Sequence, residues 1–274
     1  MSFLFFDMDG TLISRTTNHI PDSAVQAIRT AMDQGHHCFL CTGRCYGLAI
    51  EHENELVLPG VVFSNGAGIA WKGEILETKD IPHEIVDRIV LRAEMLSGAY
   101  GLLTVYDNWL NAKQMKRFAD RFPRMYPGIP EEEVFRMRKM SKIDDYREQP
   151  VQKIDVNLES LLIADVFFSG LPEEVHAIRS GGYLADLGRG FGEITCKGVD
   201  KGSGIERVLA RFGGTKEDAY CFGDSMNDID MFKVCAHSVA MGNAREEVKD
   251  AAEFVTGDPD HNGIADGLKR YGLI

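Results

Sequence analysis

Phe5-Phe6-Asp7-Met8-Asp9-Gly10-Thr11 closes the first apolar run of the chain, and its reading decides the rest. Ser2 to Phe6 is aromatic-rich and reads as a buried strand. It stops at two acids one residue apart, followed by a glycine and a hydroxyl. Residues i and i+2 of an extended chain share a face, so Asp7 and Asp9 are expected to look into one small volume. Carboxylates that close repel one another unless a cation, a shared proton or hydrogen-bond donors compensate. Alone, the stretch reads either as a polar turn ending a strand or as half of a site.

Working outward, Asp22 to Gln34 has helical spacing, with Val25, Ile28 and Met32 on one face and Gly35 as its stop. The strand His37–Leu40 runs into Thr42-Gly43-Arg44. Val61-Val62-Phe63 runs into Ser64-Asn65-Gly66. Apolar strands separated by helical pattern predict an α/β fold with a parallel, Rossmann-like sheet. Such sheets bind ligands at the carboxyl ends of their strands, where these polar residues fall. Ile69 to Thr78 reads as a hairpin turning at Gly73.

The pattern changes at Ile81-Pro82. His83–Leu96 is a predicted helix and Ala99–Tyr106 a strand. Residues 111–147 are irregular and carry ten Lys/Arg against six Asp/Glu, which makes them a solvated face or a surface attracting an anion. Val151–Leu158 and Ala164–Ser169 read as strands, Leu171–Ser180 as a helix, and Gly182–Leu187 and Gly192–Cys196 as short strands. This mixture predicts an α+β insert. The α/β pattern then resumes with Lys201 ahead of a helix from Ile205 to Phe212. The strand Ala219–Phe222 follows and ends in Gly223-Asp224-Ser225-Met226-Asn227-Asp228. Ser238–Met241 ends in Gly242-Asn243, and Glu253–Thr256 in Gly257-Asp258. The expected division is a core at 1–81 and 188–274 with a cap at 82–187.

Bulk properties narrow the function. The chain has 274 residues, with 30 Lys+Arg against 42 Asp+Glu and a net charge of −12. That balance argues against gripping nucleic acid or an anionic membrane. No apolar run approaches the ~20 residues that span a bilayer. The opening MSFLFFDMDG has no basic region before its acids, so a cytoplasmic location is expected. Cys38 and Cys41 form a CxxC within a predicted strand, where i and i+3 face opposite sides. The six cysteines are expected as free thiols.

Four separated strand-end elements can form one site. Asp7, Asp9, Asp224 and Asp228 supply hard oxygen ligands of the kind Mg²⁺ takes together with water and phosphate. Thr42, the Gly43 amide and Lys201 supply donors sized for a phosphoryl group. A carboxylate nucleophile splits a difficult displacement into two through an aspartyl phosphate. A neighbouring carboxyl protonates the leaving oxygen and then deprotonates water.

DMDGT at 7–11, TGR at 42–44, SNGA at 64–67, Lys201 after an insert, and GDSMNDIDM at 223–231 together resemble the haloacid-dehalogenase-like superfamily of phosphatases. The resemblance is to its Cof-type branch, with a large α+β cap, and it covers the core at about 1–80 and 190–274. It implies Asp7 as nucleophile, Asp9 as general acid/base, and a Mg²⁺ held by Asp7, the Asp9 carbonyl and Asp224. Asp228 would orient the ion's water or Lys201 from behind. Thr42, Gly43 and Lys201 would hold the phosphoryl group, and Asn227 would touch phosphate or fix its loop. Arg44 and Asn65 are left between loop structure and substrate contact. The implied activity is Mg²⁺-dependent hydrolysis of a small soluble phosphate monoester, such as a sugar phosphate. A phosphomutase or phosphotransferase using the same chemistry, and a phospholigand-binding protein without turnover, are the alternatives. The substrate's identity and the oligomeric state stay open, a monomer being compatible with the sequence.

Overall fold

A computed structural model describes residues 1–52, 56–179 and 189–274. The described chain divides into two compact units. The first comprises Met1–Arg44, Ala49–Thr78 and Val199–Ile274; the second comprises Cys45–Leu48 and Lys79–Gly198.

The first unit is built on an eight-stranded sheet. In chain order its strands are β1 (Phe3–Phe6), β2 (His37–Cys41), β3 (Gly60–Phe63), β4 (Gly68–Trp71) and β5 (Glu74–Thr78). Past the insert they are β12 (Ala219–Gly223), β13 (His237–Ala240) and β14 (Phe254–Val255). Their order is β14-β13-β12-β1-β2-β3-β4-β5. Pairing is parallel from β14 to β3 and antiparallel from there to β5. β1 is central because all four of its residues are apolar and buried, which suits a strand covered on both faces. Phe5 stacks on Phe39, and Phe6 on Phe222, each ring worth about 2 kcal/mol of burial. Phe3, Phe5, Phe39, Cys41 and Val62 pack with Ile205, Val208 and Leu209 of the helix Lys201–Phe212, which carries Lys201 in its first turn. The chain runs from β1 toward β2 on one side, and β12 lies on the other. The carboxyl ends of β1 and β12 therefore flank the crevice where strand order reverses. The β4–β5 hairpin turns at Lys72 and Gly73, both at positive φ, as a type I′ two-residue loop requires.

The second unit holds a six-stranded sheet. Its strands are β6 (Ala99–Leu103), β7 (Asn108–Leu110), β8 (Met140–Lys142), β9 (Lys153–Leu158), β10 (Val175–Arg179) and β11 (Gly190–Cys196). They lie in the order β10-β11-β9-β6-β7-β8. The helices His83–Met95 and Leu161–Ser169 share an apolar core with this sheet, including Ile85, Ile89, Phe167, Ile154 and Val156. The architecture is α/β with a parallel-sheet core and an inserted α+β unit.

Several expectations change here. The insert runs to Gly198, past the expected limit at 187, because β11 pairs with β9 and β10. The expected strand at 164–169 is instead the helix Leu161–Ser169, started by the Ser160 side chain accepting from the Ile163 amide. The expected helix at 171–180 gives way to β10, an edge strand zipped onto β11. The charged stretch 111–147 is not irregular. It forms the short helices Ala112–Ala119, Phe122–Met125 and Glu131–Met137 around Leu110, Phe122, Val134, Phe135 and Met140. The expected strand 182–187 lies outside the described residues.

Candidate active site

Asp7 follows β1 and continues its register, donating its amide to the Phe222 carbonyl at 2.9 Å. Its carboxylate is buried and accepts from Lys201 Nζ at 2.6 Å. Lys201 has no solvent exposure and also donates to Asp228 Oδ1 at 2.7 Å. The lysine is aimed by its own helix start. Asp200 caps the helix, accepting from the Ser203 amide at 2.7 Å while Ser203 Oγ accepts from the Asp200 amide. Gly66 presses on that cap; a Cβ there would sit 1.9 Å from the Asp200 carbonyl oxygen, and its φ is +88°.

Asp228 Oδ2 accepts from the amides of Asp224 and Ser225 at 3.0 and 2.9 Å. Both of its oxygens therefore serve the protein itself, one holding Lys201 and the other closing the loop after β12. Asp224 accepts from Thr11 Oγ1 at 3.4 Å and from Arg15 Nη2 at 2.7 Å. Ligand atoms of Asp7, Asp224 and Asp228 all lie within 4.8 Å of one another.

Crowding carboxylates at a buried point shifts their acidity. Burial, and then the charge of Asp228, push Asp7 up to about 6 against the pull of Lys201. Burial, and then Asp7, push Asp224 up to about 8, with Arg15 opposing. Burial alone would lower Lys201, but Asp228 and Asp7 outweigh it and hold the ammonium well above its ordinary range. Two acids with raised pKa beside a firmly charged lysine mean excess negative charge at one point. An all-oxygen donor set with that excess fits a hard divalent cation. The Arg15 guanidinium, seated on Asp224 and 3.3 Å from the Asp9 carbonyl, shows that a positive group is accommodated there.

Asp9 departs from the strand geometry expected of it. β1 ends at Phe6, and the chain turns through Met8, whose carbonyl accepts from the Leu12 and Ile13 amides. The Asp9 carboxylate is 58% exposed and held by Arg44, Nε to Oδ2 at 2.9 Å and Nη2 to Oδ1 at 2.5 Å. Asp9 adds a smaller push on Asp7 than burial and Asp228 do. Arg44, left open by the sequence, grips the expected acid/base.

Thr42 is buried at the end of β2. Its amide donates to Val62, its carbonyl accepts from Asn65, and its Oγ1 accepts from the Arg44 amide at 3.2 Å. Gly43 follows it, half-buried. Ser64, Asn65 and Gly66 all have positive φ, a tight left-handed run that ties the end of β3 to Thr42 and Arg44. Asn227 spends both ends of its amide on the chain, donating to Asn65 Oδ1 at 3.2 Å and accepting from Ser225 Oγ at 2.6 Å. Of the two roles expected for it, these bonds serve loop fixing.

Three contributors were not singled out by sequence reasoning. Asn243 donates to the Gly10 carbonyl at 2.9 Å and lies 3.4 Å from Asp224 Oδ2. It follows β13, so the strand-end rule could have found it. Thr11 lies within the opening motif. Arg15 carries no local signal, since its contacts depend on how the following turn folds back. Cys38 and Cys41 are buried free thiols with pKa pushed far up by burial, as small core residues would be.

The sequence profile of a family described as haloacid dehalogenase-like hydrolase matches residues 4–268. YkrA of Bacillus subtilis (strain 168), provisionally named a phosphatase, is 28% identical over 274 residues, covering 99% of this chain and 98% of that protein. YitU of the same organism, named a 5-amino-6-(5-phospho-D-ribitylamino)uracil phosphatase, is 26% identical, with 97% and 95% covered. Among solved structures, BT4131, described as a subclass IIB sugar phosphatase of the HAD superfamily, superposes with a TM-score of 0.79 at 26% identity, each chain fully covered. With its strand-end acids, its buried lysine and a family match over nearly its whole length, the chain belongs to the haloacid dehalogenase-like hydrolases.

Proposed function

We propose that the protein is a Mg²⁺-dependent phosphatase that hydrolyses a small phosphate monoester, a sugar phosphate or similar, through an aspartyl phosphate. The observation that carries this reading is the buried cluster of Asp7, Asp224 and Asp228 around Lys201. Lys201 fixes Asp7 by Oδ1, so Oδ2 attacks phosphorus. The Asp9 carboxyl protonates the departing alkoxide. A water then gives its proton to Asp9 and attacks the phosphoaspartate, releasing phosphate and restoring Asp7. Thr42, the Gly43 amide and Lys201 hold the phosphoryl oxygens, and Arg44 orients Asp9 through two contacts. The Asp7 and Asp224 carboxylates and the Asp9 carbonyl would hold Mg²⁺, which supplies charge neutralisation to the transferring group when bound. Asp228 supports the site from behind. The second unit serves as a cap that excludes water and selects the leaving group.

The named substrates of YitU and BT4131 support a polyol or sugar phosphate. A panel of phosphate esters with Mg²⁺, scored for released phosphate, tests this. Asp7→Asn should abolish release while leaving the fold intact, and EDTA should silence the wild type until Mg²⁺ is restored. Full activity of that variant, or turnover indifferent to chelation, would sink the mechanism. An isomerised sugar phosphate in place of free phosphate would point to a mutase. Binding of phosphate esters with no turnover would point to a phospholigand-binding protein.

A further inference from the structure

Arg15 stands out because one of its nitrogens reaches two oxygen atoms that the proposed reaction assigns to a metal. Nη2 donates to Asp224 Oδ2 at 2.7 Å and to the Asp9 carbonyl at 3.3 Å. Gly10 makes room for this approach. Its φ is +100°, and a Cβ there would lie 2.5 Å from Asp224 Oδ2 and 2.6 Å from Arg15 Nε. The guanidinium thus lies against a bare stretch of backbone and closes on a carboxylate that is 2% exposed.

The two partners differ sharply in freedom. The Arg15 side chain is 67% exposed, so its stem stands in solvent. Its backbone is anchored one residue earlier. Ser14 Oγ donates to Asp260 Oδ2 at 2.8 Å and accepts from the Thr16 and Thr17 amides at 3.1 and 3.2 Å. A fixed turn therefore carries a solvent-exposed side chain whose head is docked on a buried anion. Only one side of the pair is exposed, so losing the arginine would leave a buried carboxylate without its counter-charge, and the arginine's charge is permanent. What it can exchange with is another cation.

We propose that Arg15 is a built-in counter-cation for the Asp224–Asp9 carbonyl position, and that it must withdraw for the divalent ion to bind. It neutralises Asp224 when the ion is absent and, by competing for the same atoms, weakens the ion's affinity. This rests on the reading of Asp224 and the Asp9 carbonyl as metal ligands.

The test is calorimetric titration of MgCl₂ into wild type, Arg15→Gln, Arg29→Gln and Asp224→Asn, with thermal unfolding of each with and without Mg²⁺. Arg29 is an exposed helical position, so its variant makes the same charge change away from the site. Arg15→Gln should bind Mg²⁺ about three- to tenfold tighter than wild type, the range set by the loss of one partly exposed ion pair. Arg29→Gln should stay within about twofold. Arg15→Gln should also melt lower than wild type without Mg²⁺, and saturating Mg²⁺ should close that gap. Equal or weaker affinity in Arg15→Gln, with binding lost in Asp224→Asn, overturns the exchange and leaves the metal reading standing. Absence of Mg²⁺ binding in both wild type and Arg15→Gln removes the metal reading and the exchange with it.

Discussion

Lys201→Met tests whether one buried cation holds the strand ends together. Lys201 Nζ donates to Asp7 at 2.6 Å and to Asp228 at 2.7 Å, and is wholly buried. Methionine preserves much of the stem's volume but strands two buried carboxylates. Breaking a buried pair by removing one partner costs about 3–5 kcal/mol. With a urea m-value of about 3 kcal/mol/M, the midpoint should fall by about 1 M or more. The chain has two tryptophans, Trp71 in the first unit and Trp109 in the second. Trp71 packs on Phe39 and Phe212, so its fluorescence in a Trp109→Phe background reports the unfolding of the first unit. The measurement is made in EDTA, so that no divalent ion compensates. Asp7→Asn added to Lys201→Met leaves only Asp228 stranded and should recover roughly half of the loss. A midpoint unchanged by Lys201→Met, or no recovery in the double variant, would refute the reasoning.

Other outcomes follow from the same geometry. Gly66→Ala should destabilise the protein well beyond Gly35→Ala. Both positions are left-handed, costing about 1–2 kcal/mol, but only at Gly66 does a Cβ collide, there with the Asp200 cap of the Lys201 helix; comparable urea midpoints would contradict this. Asp200→Ala should cost about 1 kcal/mol through the lost cap, seen in the same unfolding assay. His36 and His37 are held below the ordinary histidine range by burial, the second also by Lys72. His36 Nδ1 accepts from the Ser2 amide, which requires its lone pair. Below about pH 6.5 the unfolded chain binds more protons at these rings than the folded one does, so the rings' own contribution to stability should fall as pH drops from 7, while Asp7 and Asp224, raised in the folded chain, contribute in the opposite direction. His37→Phe should therefore gain stability relative to wild type as pH drops from 7; a difference between the two that does not change with pH would exclude the ring as a source.

The polar motifs were legible because a parallel sheet brings strand ends together whatever lies between them. Asp7, Thr42, Asp224 and, through its helix cap, Lys201 could be gathered from apolar runs and what terminates them. The insert was less legible. Leu161-Leu162-Ile163-Ala164-Asp165-Val166-Phe167-Phe168 is apolar nearly all round, so neither period shows, and the Ser160 cap decides for helix. Val175–Arg179 is a strand because β11 offers an edge, a partner distant enough that no local window contains it.

By itself the sequence determined the α/β core, the positions of the acids and the lysine, and the chemistry they suit, since strand periodicity and turn residues are local properties. Only the tertiary structure decided how these charges are shared. The turn after Phe6 swings Asp9 from beside Asp7 onto Arg44, and the turn anchored at Ser14 brings Arg15 back onto Asp224. Both pairings join loops of different origin, and their energy depends on distance and burial, which no stretch of sequence contains.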